Sequence, residues 1–207
     1  MKKITIIDCG IGNRASIRNM LRQIGVDAQV SNDPLQILNS HIIILPGVGS
    51  FDGFMQALSE KNLINVLNEA VLKRGISILG LCVGMQVLFE KSEEGELPGL
   101  SWIPGQVRLL KQLFDSTENI KLPHIGWKSV EVKEGTFIPK ENQYYFVHSY
   151  YCGPQSQSDV LGSIEINQKK VVVAVQKDNI YGVQFHPEKS HRFGLEFFKN
   201  FIHHVSQ

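Results

Sequence analysis

GISILGLCVGMQVLF, residues 75–89, holds an unbroken apolar run, a cysteine, and a second apolar run of different spacing. Residues 76–81 predict a buried strand, because a strand covered on both faces has no polar side to show water. After Cys82 a small-residue turn leads into an amphipathic helix. Gly80 and Gly84 flank the cysteine, a G-x-C-x-G spacing that matches the elbow presenting a serine in α/β hydrolases. A helix starting there aims its N-terminus at the sulfur, which lowers a thiol pKa from a reference of about 8.5. It also makes the Val83 N–H one half of an oxyanion hole. A buried structural cysteine is the commoner fate of such a residue, and this stretch by itself leaves the two readings even.

The surrounding sequence predicts an α/β fold. Strands are expected at residues 4–8, 28–30, 41–45 and 76–81, and helices at 14–25 and 62–73, with Gly25 and Gly75 as stops. Continuous apolar strands separated by helices imply an open, mostly parallel sheet covered on both faces. The second half changes character. WKSVEV, YYFVHSYY, SIEI, KVVVAVQ and IYGVQF read as strands, some antiparallel, so the sheet is mixed. FGLEFFKNFIHHV reads as a closing helix with Phe193, Phe197, Phe198 and Phe201 inward. No linker interrupts the chain, so residues 1–207 are read as one domain.

Composition narrows the function. The chain has 207 residues, 43% hydrophobic and 20% charged, with a formal net charge of +1. No Lys/Arg block argues for nucleic acid or a membrane surface as partner. MKKITIID enters a strand at once, with too short an apolar run for a signal peptide. Three cysteines form no metal-type pair, which reads as a cytoplasmic protein with free thiols. His191 and His203-His204 have no supporting ligand spacing, so no metal is expected. Gly10-Ile11-Gly12-Asn13 lacks the full dinucleotide fingerprint, and no cofactor is expected.

Two further stretches belong beside Cys82. In YGVQFHPEKS, residues 181–190, a strand ends at Phe185 and His186-Pro187-Glu188 follow. His186 can act as general base for Cys82, and Glu188 can hold the imidazole in the useful tautomer. An isolated H-P-E tripeptide reads as a charged turn; its position after an apolar strand, in a chain with an elbow cysteine, favours chemistry. In LPGVGSF, residues 45–51, Gly47 and Gly49 let backbone approach a ligand closely.

Taken together, Gly80-Leu81-Cys82-Val83-Gly84-Met85-Gln86 and His186-Pro187-Glu188 resemble the class I (triad) glutamine amidotransferases. IGN (11–13), PGVG (46–49), PHIGW (123–127), YFVHSY (145–150) and HPEKS (186–190) extend the resemblance over essentially the whole chain. They point to the branch that feeds ammonia to a (β/α)8-barrel cyclase. That branch makes imidazole glycerol phosphate and an aminoimidazole ribonucleotide in histidine biosynthesis. The resemblance implies a glutaminase with Cys82 as nucleophile, His186 as base and Glu188 as its orienter. It implies oxyanion donors at Val83 and in the Val48/Gly49 loop, and glutamine held by Gln86, Ser149 and Tyr150. Asn13, Trp127 and Lys189 match positions facing the cyclase, in a heterodimer. Locally, Trp127 reads equally as an interface anchor or a packed tryptophan, and Lys189 as a solvated charge.

Cys9 and Lys128 depart from the branch's usual tyrosine and asparagine. SHRFGLEFFKNF also resembles a paralogous branch that supplies ammonia for surface-polysaccharide sugar amidination. The same elbow also suits a cysteine peptidase, and a non-catalytic binding module would carry Cys82 unused. Retention of Cys82, Gln86, His186 and Glu188 together argues against the binding module.

Overall fold

The computed structural model describes residues 2–115 and 120–207. In chain order the first elements are β1 (Ile4–Ile7), α1 (Arg14–Gln23), β2 (Ala28–Ser31), α2 (Pro34–Leu38), β3 (Ile42–Gly47), α3 (Phe51–Glu60), α4 (Leu63–Asn68), β4 (Ser77–Cys82) and α5 (Val83–Gln86). There follow β5 (Lys91–Ser92), β6 (Gly105–Leu109), β7 (His124–Lys128), β8 (Glu131–Val132), β9 (Tyr144–His148), β10 (Tyr150–Pro154), β11 (Val160–Ile166), β12 (Lys169–Lys177), β13 (Ile180–Val183) and α6 (His191–His204).

The central sheet has eight strands in the order β2-β1-β3-β4-β13-β12-β11-β8. The five strands from β2 to β13 are parallel, and β12, β11 and β8 continue the sheet antiparallel. Alternate side chains of the apolar strands point to opposite faces. Ile4, Ile6, Ile42, Ile44, Leu79 and Leu81 pack with Ile17 and Leu21 of α1 and Phe197, Phe198 and Phe201 of α6. Ile43, Leu45 and Ile78 pack on the other side with Phe54 and Leu58 of α3 and Leu63 and Leu67 of α4. Double coverage is the physical reason these strands carry no polar alternation. Each buried Phe of α6 stabilises the fold by about 1.5–3 kcal/mol relative to exposure. Phe193, expected inward with them, is only partly buried.

Several expectations need correction. The helix expected over 62–73 is α4 followed by a π-helical turn at Glu69–Lys73. The amphipathic helix expected after Cys82 is the single turn α5, and all four of its residues are buried. A segment enclosed on every side has no polar face to maintain, so an amphipathic pattern does not describe it. WKSVEV, read as one strand, divides between β7 and β8, which belong to different sheets. YYFVHSYY divides at Ser149 into β9, paired with β7, and β10, paired with β6. Two helices are not among the expected elements, although Phe51, Phe54, Met55 and Leu58 of α3 are buried at helical spacing. Asp33 caps α2 by accepting from the Leu35 N–H at 2.8 Å, with Pro34 in the first turn. Ser50 caps α3 by accepting from the Gly53 N–H at 3.3 Å. Both are ordinary helix-start signals. No described helix is long and apolar enough to cross a membrane.

Candidate active site

β4 ends at Cys82, whose backbone has φ 55° and ψ −113°. A non-glycine residue at positive φ is strained, and such strain persists only where the surroundings enforce it. The enforcement here comes from glycines. A Cβ on Gly84 would lie 2.0 Å from the Leu45 carbonyl oxygen, and one on Gly47 would lie 2.3 Å from the Gly84 nitrogen. A Cβ on Gly80 would lie 2.4 Å from the Gly84 carbonyl oxygen. Backbone from β3, β4 and α5 therefore meets backbone directly, and Cys82 projects from the contact.

β13 lies parallel to β4, with Gly182 opposite Gly80 and Val183 opposite Leu81. The segment leaving β13 consequently emerges beside the elbow. The His186 N–H donates to the Tyr145 carbonyl at 2.9 Å. The Ser190 hydroxyl donates to the His186 carbonyl at 2.6 Å and accepts from the Tyr145 N–H at 3.0 Å. These bonds clamp the turn against β9. His186 Nδ1 lies 2.8 Å from Glu188 Oε1. A carboxylate only accepts, so Nδ1 carries the proton and Nε2 is left for the sulfur.

The electrostatics suit an ion pair. Burial works against a charged His186, but its hydrogen bonds to Cys82 and Glu188, and their charges, push the imidazole up to about 9. Burial likewise works against an ionised Glu188. The hydrogen bond and charge of His186, with a bond from Asn13, hold the carboxyl below its ordinary range. Asn13 was expected to face a partner. Its amide donates to Glu188 Oε1 at 2.9 Å, and α1 has no side-chain cap.

Cys82 and His186 open onto a pocket of about 330 Å³, also lined by Val48, Gly49, Val83, Gln86, Ser149, Tyr150 and Lys189. All of these are candidates from the sequence. Glu94 and His148 line it too and are not. Gln86 donates from Nε2 to Gln184 Oε1 at 3.0 Å, and Gln184 donates from Nε2 to Cys82 Sγ at 3.6 Å. Sequence reasoning also missed Gln184; its signal is a polar residue inside the apolar run YGVQF. Trp127 lies outside the pocket, 39% exposed. It stacks on His191 at 5.5 Å and meets the edge of Tyr145 at 5.9 Å. Lys189 sets its ammonium 5.6 Å from the Tyr145 ring centre. Of the departures, Cys9 is buried and Lys128 is exposed on β7. Burial raises the thiol pKa of Cys9 and of Cys152, which keeps both protonated. Among the described residues no cluster of three or more His, Cys, Asp or Glu could hold a metal.

His148 makes a testable electrostatic contribution. Its Nδ1 lies 2.8 Å from the Tyr150 carbonyl, so Nδ1 is the donor, and its buried Nε2 has no partner. Burial pushes this imidazole down to about 4, outweighing the Tyr150 bond. Between that value and an unfolded value of about 6.5 the unfolded chain binds the extra proton, so stability rises with pH over this window. The cost at pH 4 relative to pH 7 is on the order of 3 kcal/mol. His124, also lowered chiefly by burial, acts in the same direction. His148→Asn should flatten urea-unfolding stability between pH 4 and 6.5. An unchanged pH slope would show that His148 is not held neutral.

An open α/β sheet with a strained cysteine at one strand end and an H-P-E turn at the next defines a class of enzyme. The sequence model described as Glutamine amidotransferase class-I matches residues 5–205, and the chain belongs to that family. Within it, the chain is 44% identical to imidazole glycerol phosphate synthase subunit HisH 2 of Methanococcus maripaludis, over 96% of this chain and 98% of that one. It is 43% identical to the HisH 2 subunit of Pseudomonas aeruginosa, with the same coverage. Among solved structures, a crystal structure of glutamine amidotransferase has a TM-score of 0.75 at 16% identity, covering 98% of this chain and 99% of that one. PurLQS from Thermotoga maritima has a TM-score of 0.71 at 18% identity, covering 99% and 100%. At those identities the likeness is one of fold.

Proposed function

We propose that the chain is the glutaminase subunit of an imidazole glycerol phosphate synthase, acting in the cytoplasm as one amidotransferase domain over residues 1–207. The observation that carries this reading is that Cys82 and His186 open onto one pocket, with Glu188 hydrogen-bonded to the far side of the His186 ring. Cys82 thiolate attacks the side-chain amide carbon of glutamine. Val83 and the Val48/Gly49 loop offer backbone N–H groups to the oxyanion. His186 gives its proton to the departing ammonia, leaving a glutamyl thioester. His186 then activates water, which hydrolyses the thioester to glutamate. Gln86, Ser149 and Tyr150 hold the substrate, and Glu94 supplies a carboxylate for its α-ammonium group.

Ammonia passes to a (β/α)8-barrel cyclase that docks on the Trp127–Tyr145–Lys189 patch beside the pocket, forming a heterodimer. Gly49 has φ +93°, so its loop sits in a conformation glycine adopts at little cost. In the isolated chain the oxyanion hole is incomplete, and docking turns a loop N–H toward Cys82. One such donor is worth roughly 10²–10³ in rate. Ammonia release from glutamine should therefore rise by about that factor when the barrel subunit and its nucleotide substrate are added. Full turnover by the isolated chain would remove the gating; no glutamine hydrolysis in the complex would remove the proposed function. Supply of ammonia for surface-sugar amidination is the second reading. The segment that carries that likeness forms α6, whose Phe197, Phe198 and Phe201 lie in the core, so it bears weakly on the acceptor.

A further inference from the structure

Gln184 has no solvent exposure and follows β13, two residues before His186. Its backbone N–H is bonded to the Val173 carbonyl at 2.8 Å, so strand pairing accounts for its main chain but not for a buried amide. A buried polar side chain costs stability unless it is bonded, and methionine would fill similar space. Both ends of the Gln184 amide are engaged. Gln86 Nε2 donates to its oxygen at 3.0 Å, which leaves its N–H groups for Cys82 Sγ at 3.6 Å.

We propose that Gln184 is a further catalytic residue, whose amide N–H stabilises the Cys82 thiolate, and that Gln86 is the positioning residue that fixes this orientation. An N–H donor favours charged sulfur over neutral sulfur. It therefore acts twice: on the thiolate before attack, and on the thiolate that leaves when water displaces the thioester. The stoichiometry is unchanged. The carbon–sulfur bond forms as the carbon–nitrogen bond breaks, and His186 supplies the proton to ammonia. Water then replaces sulfur on the acyl carbon. The ionisable groups facing the sulfur are His186, backed by Glu188, and Cys152 of β10, while His148 of β9 faces His186.

The inference rests on the reading of Cys82 as the nucleophile. Its test is the pH dependence of Cys82 alkylation by iodoacetamide, followed by mass spectrometry in the full chain without glutamine. Gln184→Met should move the midpoint up by about one unit and lower kcat/KM by about 10- to 100-fold. A residue that merely fills space would leave the alkylation midpoint in place. Should Gln184→Met fail to fold, Gln86→Met serves, because it keeps Gln184 and frees its oxygen to turn. A smaller shift in the same direction supports the proposal. An unchanged midpoint in folded Gln184→Met overturns it, as does an unchanged midpoint in Gln86→Met when the first variant does not fold. Absence of glutaminase activity in the wild type would count against the proposed function alone, since alkylation reads the thiolate without it.

Discussion

Cys82→Ala eliminates glutamine hydrolysis, with a loss on the order of 10⁵–10⁶-fold, the scale seen when a triad nucleophile is removed. Folding and partner binding persist, because alanine meets the same positive-φ constraint as cysteine and the glycine contacts around it are untouched. A glutamine analogue bearing an alkylating group should label Cys82 alone. Cys9 and Cys152 are buried, and their thiols are held protonated. Labelling at either of those positions, with Cys82 unmodified, would contradict the assignment of the nucleophile.

His186→Ala should cost nearly as much, since one side chain serves as both base and acid. Glu188→Ala should cost about 10- to 100-fold less, because orientation and charge balance are lost while the proton carrier remains. The wild type should also lose kcat/KM as pH rises through about 9, where the raised His186 imidazolium gives up its proton. That alkaline limb should move to lower pH in Glu188→Ala, which removes a group holding the proton on the ring. Wild-type turnover in both alanine variants would mean that the His186–Glu188 pair is structural.

The elbow and the H-P-E turn are legible in the sequence because each is local. A strained nucleophile turn demands small neighbours within two residues, and Gly80 and Gly84 supply them. The parallel sheet is legible because double burial removes polar alternation from β1, β3, β4 and β13. What escapes is non-local. Asn13 bonds Glu188 across 175 positions and Gln184 bonds Cys82 across 102, and no periodicity encodes a partner so far away. His148 looks like one polar residue in an alternating strand, and only the packing of β9 makes it a buried imidazole. α2 and α3 have cap signals at Asp33 and Ser50, but α2 is too short for periodicity to register. α5 escapes for the opposite reason: one turn enclosed on all sides looks in sequence like the start of a longer helix.

The pairing of β4 with β13 also sets when the molecule can become active. The two strands that carry the nucleophile and its base are neighbours in space, but nearly half the chain separates them. Between them β5 through β12 must find their own places. High contact order slows folding, because a long loop has to close before the contact rewards it. A chain that has folded only its first half holds Cys82 without an imidazole opposite it. Such a chain is chemically idle, and recovery of glutamine hydrolysis during refolding should track the arrival of β13 rather than the pairing of β2, β1, β3 and β4.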